Sequence, residues 1–299
     1  MNEESPDSWS QAFSLLRNLE WRVKRRMEAV VSGEYRSAFR GRGMEFDQVV
    51  PYEFGDDVRD IDWNVTAKLG QPYRKKYVEE REMNLVVLFE DTSDLDFGSG
   101  SKTKRQALLE MACIFMLLGA ANRDRVWLAH ASAAGVHFSK EVRGRGKVIQ
   151  MAHELLQRPA AGVLSDTGSK IDWRHFSTVV PRHSVVVWLG NFMPAVAPAH
   201  WGYLNQRLEW IGCRVDDSWD RELPEINGLP VYDPNSEELV LIDGTSRSQR
   251  EAHAEWVQAR EDYFLQLFPK NRSRLTFLNQ EEPLDAVIRL MQRRMGGRS

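Results

Sequence analysis

The sequence predicts an α/β fold with a central, mostly parallel β-sheet. Two observations lead to this prediction. From Asn84 onward, short apolar runs alternate with longer amphipathic segments, which is typical of parallel strands connected by helices on both sheet faces. The run at residues 85–89 is fully apolar and lies between polar residues, as expected of a strand in the middle of such a sheet.

The composition is that of an ordinary globular protein, since 42% of the 299 residues are hydrophobic and 28% are charged. The net charge of −3 provides no basic field for nucleic acid or an anionic membrane. No apolar run reaches the roughly 18 residues of a transmembrane helix, and the acidic N-terminus lacks a signal-peptide pattern. We therefore expect a cytoplasmic protein. Cys113 and Cys213 each lie in an apolar run, so burial is expected rather than metal binding or a disulfide.

The first predicted element is a helix over residues 7–32, where apolar residues recur at helical spacing and basic residues cover the other face. We interpret the basic face as a solvated or protein-docking surface. Nucleic-acid binding through this face is the alternative, which the overall charge does not favour.

A small antiparallel β element is predicted over residues 34–82, where β-like stretches alternate with glycine-containing turns. The stretches lie near 35–39, 45–54, 61–68 and 72–79. The predicted units are therefore residues 7–82, the helix with the small β element, and residues 83–295, the α/β domain.

Helices and strands alternate in the predicted α/β domain. Strands are expected near 85–89, 125–131, 185–189, 213–216, 239–242 and 274–277, with 136–139 as a hairpin arm. Helices are expected near 102–122, 143–156, 199–211, 247–268 and 283–295.

The acidic loop after residues 85–89 is the first candidate for a functional site. Ligands of open parallel sheets bind at the carboxyl ends of the strands. Oxygen-bearing side chains, which hard cations such as Mg²⁺ prefer, fill this loop. They are Glu90, Asp91, Thr92, Ser93, Asp94 and Asp96.

Several spaced motifs in the chain resemble one bacterial family, domain of unknown function family 58, whose members contain a von Willebrand factor A-like domain. The most specific matches are Gly43-Met-Glu-Phe46, Tyr52-Glu-Phe-Gly-Asp-Asp57, Arg59-Asp-Ile-Asp-Trp63 and Glu79-Glu-Arg81. Weaker matches continue at Asp94-Leu-Asp-Phe-Gly98, Asp124-Arg-Val126, Val215-Asp-Asp217 and Arg293-Arg294. The resemblance implies a Rossmann-like A domain preceded by a small β element. It also implies association with a MoxR-type AAA+ ATPase in chaperone-like remodelling or activation of a client protein.

The resemblance further implies where a metal-ion-dependent adhesion site would lie. A-domain proteins commonly bind Mg²⁺ through an Asp-x-Ser-x-Ser loop, with a Thr and an Asp from two later loops. In the matching register, Glu90, Thr92 and Asp94 stand at the first three positions, and Asn191 stands at the last. The Thr position falls on Thr167 or Ser169.

Every ligand position that can be aligned is therefore altered. Mg²⁺ requires near-octahedral geometry at about 2.1 Å, which the longer Glu90 and the charged Asp94 disturb. We interpret the loop as a degenerate site that does not hold a cation, and we expect no cofactor. Because the replacements carry oxygen, Mg²⁺ remains the alternative, and a one-residue shift would offer Asp91 and Ser93 instead.

We thus expect a non-enzymatic adaptor that contacts its ATPase partner through the strand-end surface. The expected contact residues are Asp94, Asp96, Asn191 and Phe192. The alternative is a metal-dependent phosphoesterase or similar hydrolase that uses Glu90, Asp91, Asp94 and Asp96, although no general base accompanies them.

The other motifs favour structural roles. Arg59, Asp60, Asp62 and Trp63 are interpreted as a hinge in which the charged groups bond one another while Trp63 packs. No phosphate-binding loop, zinc-hydrolase motif or serine-hydrolase motif is present in the sequence.

Overall fold

The computed structural model describes residues 6–26, 38, 44–79, 82–159, 171–233 and 238–296. The chain divides into two compact units, one of Met1–Phe39 with Asn84–Ser299, and one of Arg40–Met83. This division differs from the boundary expected after residue 82, because the N-terminal helix belongs to the α/β unit and not to the small β element.

The larger unit is built on a six-stranded sheet, which confirms the predicted fold class. The strand order is β10-β7-β6-β3-β4-β5, and all neighbours are parallel except β4 and β5. The strands are β3 Asn84–Glu90, β4 Arg125–Ser132, β5 Gly135–Phe138, β6 Val185–Gly190, β7 Glu209–Asp216 and β10 Arg274–Leu278. A separate antiparallel pair consists of β8 Leu229–Asp233 and β9 Glu238–Ile242.

Helices cover both faces of this sheet. They are α1 Pro6–Arg26, α3 Lys104–Ala121, α4 Arg145–Leu156, α5 Trp173–Val179, α6 Trp201–Arg207, α7 Ser218–Arg221, α8 Arg247–Leu267 and α9 Pro283–Gly296. On one face, α3 is buried along nearly its whole length, and α1, α4 and α9 contact it. The other face carries an aromatic core in which Trp188 of β6 contacts Trp173, Trp210 and Phe268.

Helix α1 belongs to the α/β unit because its apolar stripe is buried against that unit. Ala12, Leu16, Leu19 and Val23 recur at helical spacing and are buried. The helix contacts α3 and α4, and Phe13 stacks on His153 with ring centroids 4.4 Å apart. The end of the predicted helix, residues 27–32, lies outside the described residues.

One prediction in the α/β domain is wrong in part. The helix expected over 199–211 ends at Arg207, and β7 already begins at Glu209, because Trp210 and Ile211 are buried in the sheet. The strand expected near 239–242 forms as predicted. Among the described residues it pairs with β8 outside the central sheet, and it exposes Leu239 and Leu241.

The smaller unit contains an antiparallel pair, β1 Met44–Pro51 and β2 Tyr73–Glu79, as predicted. The β-like stretch expected near 61–68 is instead helix α2, Trp63–Leu69. Asp62 caps its first turn, and Gly70 ends it in the left-handed conformation at φ 72°. Capping at both ends outweighs the apolar alternation that suggested a strand. Apart from Ala38, the stretch expected near 35–39 lies outside the described residues.

Both cysteines are buried and free, as predicted. Burial raises the pKa of the Cys113 thiol to about 12 and also raises that of Cys213. No helix in the described part of the chain is long and apolar enough to span a membrane.

Candidate functional site

Strands β3, β6 and β7 are neighbours in the parallel sheet, so the residues after their carboxyl ends meet at one edge. The first residue of α3 and one residue of α8 reach the same edge. We call this group the edge cluster. It consists of Asp94, Lys104, Asn191, Asp216, Asp220 and Arg260.

Asn191 lies at the centre of the edge cluster and joins the loops after β3 and β6. It follows β6 directly and is only 2% exposed. Its side-chain nitrogen donates a hydrogen bond to Oδ2 of Asp94, which lies in the short 3-10 helix Ser93–Asp96. The amide oxygen Oδ1 is therefore free to accept from other groups.

Two buried cations donate to that oxygen. Arg260 Nη2 donates to Asn191 Oδ1, and Lys104 Nζ lies 3.5 Å from the same atom. Arg260 also binds backbone, with Nε 2.9 Å from the Asn191 carbonyl oxygen and Nη2 2.9 Å from that of Val215. These bonds fix the guanidinium of α8 between the ends of β6 and β7.

Carboxylates after β7 balance these cations. Asp216 accepts from Arg214 Nε at 3.1 Å and lies 3.0 Å from Arg260 Nη1. Asp220 lies 3.2 Å from Lys104 Nζ. Burial lowers the pKa of Arg260, and the two aspartates oppose that effect. An arginine with such partners stays charged at neutral pH.

A cavity of about 260 Å³ opens beside the edge cluster. Its charged lining residues are Arg214, Arg221, Arg260, Asp216, Asp220 and Glu261. Since three of these residues are cations and three are anions, the lining has no net formal charge.

A second buried network surrounds Asp91. Arg105 donates to both carboxylate oxygens at 2.9 and 2.8 Å, and His130 Nε2 lies 3.0 Å from Oδ2. Arg158 Nη1 lies 3.2 Å from His130 Nδ1, and because arginine can only donate, Nε2 of a neutral His130 carries the proton towards Asp91. Burial raises the pKa of Asp91, but the bonds from His130 and Arg105 outweigh it and leave the pKa below its ordinary value. Asp91 is thus fully engaged by protein groups.

The structure separates the predicted ligands. Glu90 accepts a hydrogen bond from the indole of Trp188 at 2.8 Å, on the aromatic face of the sheet. Of the expected four, only Asp94 and Asn191 bond each other. Thr92 and Ser93 are half-buried at the 3-10 helix, and Thr92 makes no side-chain capping bond. Thr167 and Ser169 lie outside the described residues.

The expected contact surface is also partly internal. The Phe192 ring is only 3% exposed and lies in the aromatic core, with its centroid 4.8 Å from that of Phe264. Asn191 is buried as well, so neither side chain can contact a partner directly. Asp94 is half-buried and Asp96 is exposed. Although the residue as a whole is exposed, partial desolvation of its carboxyl group and the charges of Asp91 and Asp94 raise the pKa of Asp96 against the opposing effect of Arg105.

The residues at this edge do not fit a divalent cation. In the described part of the chain, no three His, Cys, Asp or Glu residues are grouped so that they could hold a metal ion. Asn191 Oδ1 and Asp94 Oδ2 are engaged by nitrogen donors instead.

Sequence reasoning missed Lys104, Arg105 and Arg260, although two signals were present. Lys104 and Arg105 open α3, where the helix dipole disfavours positive charge, so nearby carboxylates are needed. Arg260 lies four residues from both Trp256 and Phe264 on α8, and a cation between aromatic residues on one helix face indicates a buried ion pair.

Comparisons with known proteins extend the resemblance. Over 227 residues, the chain is 27% identical to uncharacterized proteins of Mycobacterium bovis and Mycobacterium tuberculosis, covering 74% of this chain and 70% of theirs. The model of a protein family of unknown function, DUF58, matches residues 48–263 and therefore includes both the edge cluster and most of the smaller unit. The chain belongs to the DUF58 family.

Proposed function

We propose that this protein is a non-enzymatic adaptor that docks on a MoxR-type AAA+ ATPase and couples it to a client protein. The ATPase is the partner that the family resemblance implies. The single observation that carries an interaction role is a set of exposed apolar side chains on the smaller unit.

Four large apolar side chains form this exposed set, which we call the apolar set. Phe54 is fully exposed, and Trp63, Val58 and Leu69 are 69%, 62% and 58% exposed. The prediction that Trp63 packs within the hinge motif is therefore wrong. Aromatic side chains are enriched in the cores of protein interfaces, and each Å² of apolar surface removed from water contributes about 25 cal/mol.

The charged residues around the apolar set are engaged within the smaller unit. Asp57 caps a 3-10 turn and accepts from Arg59, while Arg74 Nε lies 2.6 Å from Asp56. Asp62 caps α2 through two backbone bonds. In these contacts charged side chains hold the backbone of the smaller unit, while the side chains of the apolar set remain exposed.

Two carboxylates after β3 support a role without catalysis. Asp91 is held by Arg105, and Asp94 is held by Asn191. A metal-dependent hydrolase needs carboxylates that are available to a cation or a water molecule. We therefore place the partner-binding surface on the apolar set and not at the strand ends, where the sequence suggested it.

The proposal is tested by immobilising the protein and passing over it the MoxR-type ATPase of the same genome, with ADP or a non-hydrolysable ATP analogue. Retention is expected in at least one nucleotide state. The Phe54→Ser/Trp63→Ser variant is expected to lose it at least tenfold, because both side chains are exposed and their removal leaves the folded unit intact.

Leu239→Ser is the matched control, because Leu239 is an exposed apolar residue of β9 outside the smaller unit. It should bind like the unmodified protein. If the ATPase is not retained in any nucleotide state, the adaptor proposal fails. An equal loss of ATPase binding in the control variant would show that the apolar set is not the binding surface.

A further inference from the structure

We propose that Lys104 and Arg260 are resident cations of the edge cluster, which take over the electrostatic role that a divalent metal plays in related domains. The inference does not depend on the adaptor function. It concerns why the edge cluster excludes a metal ion. The cause we propose is the positive charge of these two side chains and not the loss of a ligand.

The first support is that Asn191 Oδ1 and Asp94 Oδ2 are both already engaged by nitrogen donors. A carbonyl oxygen has two acceptor positions, and Asn191 Oδ1 accepts from Arg260 and faces Lys104 Nζ at 3.5 Å. Asp94 Oδ2 accepts from the Asn191 amide. An incoming cation would have to displace the nitrogen donors from these oxygens.

The second support is charge. Lys104 and Arg260 are each 3% exposed, so water screens them weakly. Their carboxylate partners are already present, with Asp220 3.2 Å from Lys104 and Asp216 3.0 Å from Arg260. Each of the two cations thus already has a carboxylate partner, and a divalent ion would have to lie beside two fixed positive charges, which repel it.

The third support is the identity of residue 191. The Asn191 amide donates to Asp94 through its nitrogen and accepts from the two cations through its oxygen at the same time. An aspartate there would remove the donor and set two carboxylates side by side. Asn191 and the resident cations are therefore complementary parts of one arrangement.

The test compares Mn²⁺ binding, measured by electron paramagnetic resonance, in four forms of the full chain. These are the unmodified protein, Asn191→Asp, Asn191→Asp/Lys104→Ser and Asn191→Asp/Lys102→Ser. Lys102 is the matched control, because it lies two residues before Lys104 and pairs with Glu110 at 2.9 Å, outside the edge cluster.

If resident cations exclude the metal, restoring the carboxylate alone should not produce binding. Mn²⁺ should bind the Asn191→Asp/Lys104→Ser variant at least tenfold more tightly than any of the other three. Binding to the unmodified protein would overturn the proposal. So would equal binding to Asn191→Asp, because the missing carboxylate would then be the cause.

Folding of each variant is checked by far-ultraviolet circular dichroism. A folded Asn191→Asp/Lys104→Ser variant without Mn²⁺ affinity also overturns the proposal. If this variant does not fold, Asn191→Asp decides the matter: no binding to it supports exclusion by the resident cations, and binding to it refutes exclusion.

Discussion

Arg105 holds Asp91 by two parallel hydrogen bonds, from Nε at 2.9 Å and from Nη2 at 2.8 Å. Both residues are buried, and the arginine also donates to the carbonyl oxygens of Arg158 and Pro159 at 3.0 and 3.1 Å. The pair therefore ties the end of β3 to the start of α3 and to the chain that follows α4.

Breaking this pair should destabilise the protein strongly. Among the described residues, Arg105→Met leaves the buried Asp91 with His130 as its side-chain partner. The loss of one member of a buried ion pair typically costs about 3–5 kcal/mol. Urea unfolding at pH 7 measures the change. Arg247→Met is the control, because its exposed i,i+4 pair with Glu251 should contribute no more than about 0.5 kcal/mol. A loss below about 1 kcal/mol for Arg105→Met would contradict the structural role of the pair.

Acid should destabilise the protein through two buried aspartates. Burial raises the pKa of Asp217, but bonds from Ser99, Trp219 and Asn279 outweigh it, so this pKa, like that of Asp91, lies below the ordinary 3.8. The folded state then binds fewer protons than the unfolded state. The stabilisation is complete above the unfolded pKa and is lost as the pH falls through the lower folded pKa.

The measurement is the urea midpoint between about pH 5 and pH 2, which should fall with decreasing pH. Asp217→Asn cannot titrate at this position, and the amide can still cap α7. We expect a lower midpoint at neutral pH and a shallower decline in acid. A decline as steep as in the unmodified protein would show that Asp217 does not contribute to the destabilisation by acid.

Much of the larger unit could be predicted from sequence because its central strands are almost fully buried. Strands β3 and β6 are continuous apolar runs, and both form where expected. The spacing of apolar residues predicted the wrong helix end where a short helix is followed directly by a strand. Leu208 separates α6 from β7 by one residue, so apolar residues of both elements gave one apparent helical pattern.

The edge cluster was only partly predictable. The register placed Asp94 and Asn191 at the sheet edge, and the structure joins them. The register did not predict Arg260. This residue lies on α8, 69 residues after Asn191 in the chain, and reaches the site from there. Contacts between distant segments depend on how α8 lies on the sheet, which local sequence patterns do not specify.

Phe192 is buried and Trp63 is exposed, and this difference can be tested by measuring stability. Phe192→Ala removes a ring from the aromatic core and should cost about 3–5 kcal/mol. Trp63→Ala removes an indole that is 69% exposed, and such surface changes usually lie within about 0.5 kcal/mol. Chemical denaturation of both variants distinguishes the two positions. A large loss for Trp63→Ala would show that this indole is buried within the isolated protein.

Two glycines should respond to alanine in opposite directions. A Cβ at Gly212 of β7 would lie 2.3 Å from Phe268, so Gly212→Ala must move a core ring, and such overpacking costs about 1–3 kcal/mol. Gly146 lies in the first turn of α4, and a Cβ there meets no atom within 4 Å. Gly146→Ala should stabilise the helix by up to about 1 kcal/mol.

Thermal unfolding should therefore show a lower midpoint for Gly212→Ala and an equal or higher one for Gly146→Ala. An unchanged midpoint for Gly212→Ala would mean that Phe268 has room to shift, and that the contact between β7 and the aromatic core is looser than the structure indicates.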